Sequence, residues 1–170
     1  MERKQTHMMY GLFTAIASII VGLVLHFTNL SFEPWAQWVT HAVLLVGIIL
    51  NDIAFSKEND ANVTFGQVFS SGFKTTAIYT LIIIVWSFIS LLIFPDIMEK
   101  GMQIAEEKMM SQGLPDEQIT QALEMTRNNF KLFMVGGILF MTMFWGAIFS
   151  LLGAAIAKKK PNAAPPAQMQ

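Results

Sequence analysis

The clearest pattern along the chain is a series of four long apolar windows separated by more polar segments. The windows cover about residues 8–27, 35–55, 75–94 and 132–157. A helix rises about 1.5 Å per residue and the hydrocarbon core of a bilayer is about 30 Å thick, so about 20 apolar residues cross it. Since each window has about that length, we predict an all-α membrane protein built as a four-transmembrane-helix bundle.

The segment between the third and fourth windows, residues 96–131, has a helical pattern but is too polar to be a span. Apolar residues recur every three or four positions from Met98 to Met109 and again from Ile119 to Phe133. The turn residues of Gly113-Leu114-Pro115 stand between the two stretches. We predict an extended extracytoplasmic helical hairpin whose second arm continues into the fourth span without a break. It is either a structured connector or a docking surface for a partner.

A second polar segment precedes the third window. Thr64 and Gln67 have the spacing of a helix capping box. Residues 65–73 then form either a short amphipathic helix at the membrane interface, with a bend at Gly72, or the first turns of the third span. We assign residues 1–160 to one transmembrane domain and expect the Pro- and Ala-rich tail 161–170 to be disordered.

Composition excludes several classes of protein. Charged residues are 14% of the 170-residue chain, against about 25% in an ordinary soluble domain, and the mean hydropathy is +0.49. A net charge of -1 gives no indication of a nucleic-acid partner. The chain contains Cys 0, which excludes disulfide bonds and thiol chemistry.

The distribution of Lys and Arg predicts the orientation, because these residues are enriched in cytoplasmic loops. One side of the predicted bundle carries seven of them: Arg3, Lys4, Lys57, Lys74, Lys158, Lys159 and Lys160. The other side carries four, all in residues 96–131, together with seven acidic residues. We therefore predict that both termini are cytoplasmic.

Small residues recur at helical spacing in three spans, where they would allow close helix packing in lipid. The predicted packing positions are Gly11, Ala15, Ser18 and Gly22 in the first span, Thr76 and Thr80 in the third, and Gly146, Ser150 and Gly153 in the fourth. A stripe of hydroxyls in the third span would also suit a water path, which is the alternative interpretation.

The candidate intramembrane polar site consists of Asn51, Asp52 and Lys74. An ionisable residue in a span costs roughly 2.5–3.5 kcal/mol at the membrane centre and is a functional candidate for that reason. We predict an ion pair between Asp52 on the second span and Lys74 at the start of the third. The alternatives are that Asp52 only reaches interfacial water, or that it binds a proton or a cation.

Catalytic and metal-binding patterns are absent from the sequence. There is no nucleophile with an adjacent base, no H-E-x-x-H and no phosphate-binding glycine loop. His26 and His41 lie toward the same end of the first two windows, but no third ligand accompanies them. We expect no enzyme activity, no cofactor and no bound metal.

The stretch Thr64–Lys74, the exit at Pro95, the acidic helical loop and the ending Ser150–Lys159 resemble a bacterial membrane protein family. That family is catalogued only as a domain of unknown function (number forty-one ninety-nine). The resemblance covers about residues 5–160 and implies four spans in a bacterial cytoplasmic membrane. It implies no activity and no functional residues.

These observations favour a scaffold or accessory subunit of the bacterial inner membrane that acts through helix–helix or hairpin contacts. The alternative is a small oligomeric transporter or channel component that uses Asp52 and the hydroxyl-lined third span. The expected partners are the lipid bilayer and either another protein or further copies of the chain, with no nucleic acid.

Overall fold

The computed structural model describes residues 5–160, and these form six helices and no strands. The helices are α1 Thr6–Phe27, α2 Ala36–Glu58, α3 Phe65–Ile93, α4 Asp96–Ser111, α5 Asp116–Asn128 and α6 Phe130–Ile156. Four of them, α1, α2, α3 and α6, are long and apolar enough to cross a membrane. The predicted all-α class with four spans is confirmed. The predicted disorder of 161–170 and the basic residues Arg3 and Lys4 lie outside the described residues.

The chain divides into two compact units. Within the described residues, the first unit consists of residues 5–83 and 140–160, and the second consists of Ile84–Leu139. Helices α3 and α6 contribute residues to both. The first unit contains the polar residues of α2, and the second contains α4 and α5.

Helix α3 begins at a capping box, as the sequence predicts. The Thr64 amide donates to Gln67 Oε1 at 2.8 Å, and the Gln67 amide donates to Thr64 Oγ1 at 3.3 Å. This reciprocal pair satisfies two amides that a helix N-terminus leaves unbonded. The helix then continues through Gly72 to Ile93. Residues 65–73 are therefore the first turns of the third long helix, and the separate interfacial helix is not formed.

In the second unit, α4 and α5 are separated by the predicted turn. Gly113 has a φ of 73°, a left-handed conformation that glycine adopts without steric cost. Met102 on α4 and Ile119 on α5 are the buried residues of these two helices. The prediction of an unbroken second arm is wrong, because Asn129 separates α5 from α6. Its side-chain amide donates to the Met125 carbonyl at 3.0 Å, and such local bonds compete with helix continuation.

Helices of the first unit approach closely where glycine meets threonine. A Cβ placed on Gly47 of α2 would lie 2.0 Å from Thr14 Oγ1 of α1. A Cβ placed on Gly146 of α6 would lie 2.2 Å from Thr76 Cγ2 of α3. Since real Cβ atoms do not come this close to other atoms, both contacts require glycine. Small residues at helix contacts are the expected packing solution in lipid.

The predicted packing positions on α1 differ in how closely they approach neighbouring helices. A Cβ on Gly11 would lie 2.9 Å from Ile78 Cβ, so α1 also meets α3 closely. Ala15 and Ser18 are buried on the same helix. Gly22 differs, because a Cβ there would meet nothing within 4 Å. Of the predicted positions on α1, Gly11, Ala15 and Ser18 are therefore packed, and Gly22 is not.

Lys159, which follows α6 in the chain, caps the C-terminal end of that helix. Lys159 Nζ donates to the Ala157 carbonyl at 2.7 Å and also to the Ala154 carbonyl. The same ammonium lies 5.8 Å from the ring centroid of Phe65 at the start of α3. A cation at a helix C-terminus satisfies carbonyls that have no intrahelical partner and opposes the negative end of the helix dipole.

Candidate functional site

The candidate site lies inside the first unit, where Asn51 and Asp52 are both fully buried at 0% exposure. They occupy the last third of α2, on the helix face that also carries the buried Ile48. Ser71 and Gly72 of α3, and Ser150 and Gly153 of α6, are buried as well. Three helices thus contribute polar or small residues to one buried cluster.

Asn51 organises the hydrogen bonds of the cluster. Its side-chain amide donates to Asp52 Oδ1 at 3.0 Å and to Ser71 Oγ at 3.0 Å. The second bond links α2 to α3. Two buried oxygens in this part of the structure accept no hydrogen bond, namely Asn51 Oδ1 and Asp52 Oδ2. Buried polar atoms are normally paired, so the two unpaired acceptors make this cluster a candidate functional site.

Two glycines enclose the Asp52 carboxyl. A Cβ on Gly153 of α6 would lie 2.2 Å from Asp52 Oδ2, and a Cβ on Gly72 of α3 would lie 2.8 Å from both carboxyl oxygens. The same Gly72 position is 2.9 Å from Ser150 Oγ. The backbones of α3 and α6 therefore pack directly against the carboxyl group.

The ion pair predicted between Asp52 and Lys74 is not formed. Lys74 is exposed, whereas Asp52 has no exposed surface. The ion pair found among residues 5–160 joins Lys100 to Asp96 instead. Helical geometry explains the error, because Gly72 faces Asp52 and a residue two positions later is turned by about 200°. Lys74 consequently points to the opposite face of α3.

The hydroxyl groups of α3 are used within the packed interior. Thr76 Oγ1 donates to the Gly72 carbonyl at 3.2 Å. Thr80 Oγ1 lies 2.8 Å from the Thr76 carbonyl and 2.8 Å from Thr142 Oγ1 of α6. Thr76 and Thr80 are 0% and 1% exposed, so neither hydroxyl reaches solvent in this conformation. In this conformation the Thr80–Thr142 contact joins α3 to α6.

His41 lies in an aromatic group near the start of α2. Its ring centroid is 5.9 Å from that of Trp38 and 5.5 Å from that of Trp145 on α6. His41 Nδ1 lies 2.6 Å from the Gln37 carbonyl of the preceding turn. Within residues 5–160, no group of three His, Cys, Asp or Glu side chains is placed to hold a metal ion.

A second candidate site is a groove in the second unit, between α4 and α5. Its volume is about 410 Å³. Carboxylates stand on both walls, and one arginine lines it as well. The groove is lined by Glu99, Met102, Gln103, Glu106, Thr120, Leu123, Glu124 and Arg127. An open groove with this lining suits a positively charged, amphipathic segment.

The sequence identified Asn51 and Asp52, and it marked Ser150 and Gly153 as packing positions, but it did not predict that α3 and α6 contact Asp52. Ser71, Gly72 and the Gly153 contact with Asp52 follow from helix register between segments far apart in sequence. The buried-face spacing of Ser71, Thr75 and Thr76 on α3 was the available signal. The lining of the groove was not predicted for a similar reason, since which residues of α4 and α5 line it depends on how the two helices meet.

Comparison with known families gives one result. The family model described as a protein of unknown function (DUF4199) matches residues 9–159, which confirms the resemblance found in the sequence. No curated protein and no solved structure matches the chain.

Proposed function

Because the chain belongs to DUF4199, a family described as a protein of unknown function, we propose a function from the geometry of the chain itself. The protein is a non-enzymatic, multi-pass accessory subunit of the bacterial cytoplasmic membrane, with both termini in the cytoplasm. It binds a partner protein through the groove between α4 and α5, on the extracytoplasmic side.

The acidic groove is the observation that carries this proposal. Glu99 and Glu106 of α4 and Glu124 of α5 all line the groove. Residues 96–131 contain seven acids and four bases, so the surrounding surface favours cations. Leu123, which is partly exposed, supplies an apolar contact. Charge complementarity of this kind increases association rate and specificity more than affinity. The matching partner is therefore a basic, amphipathic segment of another membrane protein.

Removing the groove carboxylates is expected to release this partner. The triple variant Glu99→Gln, Glu106→Gln, Glu124→Gln changes three charges and keeps side-chain size and helix propensity. We expect at least a tenfold loss of the co-purifying protein, about 1.4 kcal/mol. The measurement is affinity purification of the tagged chain from its native host in a mild detergent, quantified by mass spectrometry.

The matched control is Glu107→Gln together with Asp116→Asn and Glu117→Gln, which removes the same charge from exposed positions that do not line the groove. It should retain the partner. Loss of the partner from both variants would mean that bulk charge rather than the groove binds it. A wild-type chain that purifies without any partner would contradict the accessory function itself.

A second candidate function is supported by Asp52. An unpaired buried carboxyl inside a candidate span is the arrangement that ion and proton pathways use. In this hypothesis the chain is a small oligomeric transporter or channel component, with Asp52 and the hydroxyls of α3 along the path. Since Asp52 is fully buried here, transport requires a second conformation that opens α2 from α3 and α6.

This hypothesis predicts loss of flux on neutralisation of one residue. In vesicles containing purified protein, Asp52→Asn should abolish proton or Na⁺ uptake driven by a membrane potential. Asp60→Asn should leave it unchanged, because Asp60 is exposed in the loop after α2. Equal flux in wild-type and Asp52→Asn vesicles, or no flux above empty vesicles, would exclude the transporter.

A further inference from the structure

The buried cluster around Asp52 supports an inference that does not depend on the accessory function. A carboxylate that is buried without a cationic partner is strongly disfavoured, because it loses its hydration and gains no opposite charge. Asp52 is 0% exposed, and its carboxyl receives one hydrogen bond, from Asn51. Its second oxygen is unpartnered among the described residues.

The charged groups of the surrounding segments do not neutralise Asp52. The titratable groups of the first unit on these segments are His7, Tyr10 and His26 on α1, His41, Lys57 and Glu58 on α2, Lys74 and Tyr79 on α3, and Lys158, Lys159 and Lys160 after α6. Within residues 5–160, none of them forms an ion pair with Asp52. Lys74 is exposed, and Lys159 donates to carbonyls at the end of α6.

The space around the carboxyl limits what can bind there. Gly153 and Gly72 approach so closely that even a single methyl group on either would lie within 3 Å of a carboxyl oxygen. A hydrated cation does not fit between such backbones without separating the helices. A proton needs no additional room. A bound proton removes the charge and makes the carboxyl a hydrogen-bond donor. The side-chain oxygens of Asn51 and Ser150 belong to the same cluster and can accept hydrogen bonds.

We infer that Asp52 is a proton-binding site, and that its bound proton allows α3 and α6 to pack against α2. In the packed state Asp52 is a neutral carboxylic acid enclosed by Gly72 and Gly153. Loss of the proton leaves a carboxylate at the same point, which can be hydrated only if the three helices move apart. The chemical step is the release of one proton and involves no other reactant.

Linkage gives the sign of the effect on stability. Because the packed chain holds a proton that the unfolded chain releases to water, the folded state binds more protons over the range in which the two states differ. The free energy of unfolding then falls as pH rises. One proton changes the unfolding equilibrium constant by up to about tenfold per pH unit.

The test is the unfolding midpoint of the full chain in detergent from about pH 5 to about pH 9, in buffers with K⁺ as the cation. The wild-type midpoint should fall with rising pH, and Asp52→Asn should remove that part of the slope, because Asn keeps the shape of the neutral acid. Asp60→Asn is the control, with the same charge change at an exposed residue whose φ of 53° Asn tolerates. It should behave as wild type.

A second measurement does not depend on the stability of any variant. At neutral pH the infrared spectrum of the wild-type protein in D₂O should contain the C=O stretch of a protonated carboxyl group, and Asp52→Asn should lack it. Equal pH slopes in wild type and Asp52→Asn, or absence of the infrared band, would overturn the inference. If Na⁺ stabilises the wild type more than K⁺ does at fixed pH, and Asp52→Asn does not show this difference, then the site binds a metal cation and not a proton.

Discussion

Gly146→Ala is expected to destabilise the chain by about 1–3 kcal/mol, the cost of overpacking a well-packed interior. The added methyl would lie 2.2 Å from Thr76 Cγ2, 2.5 Å from Thr76 Oγ1 and 2.8 Å from Thr76 Cβ. Thr76 cannot move away, because its branched side chain has few rotamers and its hydroxyl donates to the Gly72 carbonyl. Helix α6 must therefore shift from α3, which strains the Thr80–Thr142 contact one turn away.

The same helix provides the matched control. A Cβ on Gly137 would meet nothing within 4 Å, so Gly137→Ala should be neutral or should stabilise the helix by up to about 1 kcal/mol. The measurement is the free energy of unfolding in mixed detergent micelles. The double variant Gly146→Ala, Thr76→Ala removes the two shortest clashes and should recover part of the loss. Equal effects of Gly146→Ala and Gly137→Ala would mean that α3 and α6 do not meet at Gly146.

The difference between these two glycines shows what a single sequence can reveal about packing. Both lie in an apolar helix, and helical spacing marked Gly146 as a packing position together with Ser150 and Gly153. The same reasoning marked Gly22, where no atom comes within 4 Å of an added Cβ. Periodicity identifies a face of small residues, but which part of that face meets a neighbour depends on helix crossing, which local sequence does not encode.

The site shows the same limit in its polar residues. Hydropathy was sufficient to select Asn51 and Asp52, because polar residues inside an apolar window are rare and costly. Which residue of α3 contacts Asp52 depends on the rotation of α3 about its own axis. The sequence prediction chose Lys74, whereas Gly72, two residues earlier, makes the contact. The attraction between opposite charges suggested Lys74 as the partner. In the structure, close packing of the helix backbones places Gly72 against Asp52 instead. In lipid, packing and full burial of a neutral group can outweigh an ion pair that needs desolvation of both charges.

The turn between α4 and α5 is expected to be accessible from outside the cell, and the loop between α2 and α3 is not. The chain contains Cys 0, so each introduced cysteine is the sole reactive thiol. Gln112→Cys should react fully with a membrane-impermeant maleimide on intact spheroplasts. Asn59→Cys should react only after the membrane is opened. Both positions are exposed on the protein, and we expect this orientation because Lys and Arg are in excess on the side of Asn59.

Ser31→Cys, an exposed position between α1 and α2, separates two ways in which this expectation could fail. If each long helix crosses the membrane, Ser31 and Gln112 share one side and Asn59 lies on the other, whatever the orientation. A reversed pattern, with Asn59→Cys alone labelled from outside, would keep all the spans and place the acidic groove in the cytoplasm. The partner proposed for the groove would then be sought in the cytoplasm. Labelling of Asn59→Cys and Gln112→Cys from the same side would instead mean that α3, which lies between them, does not cross the bilayer.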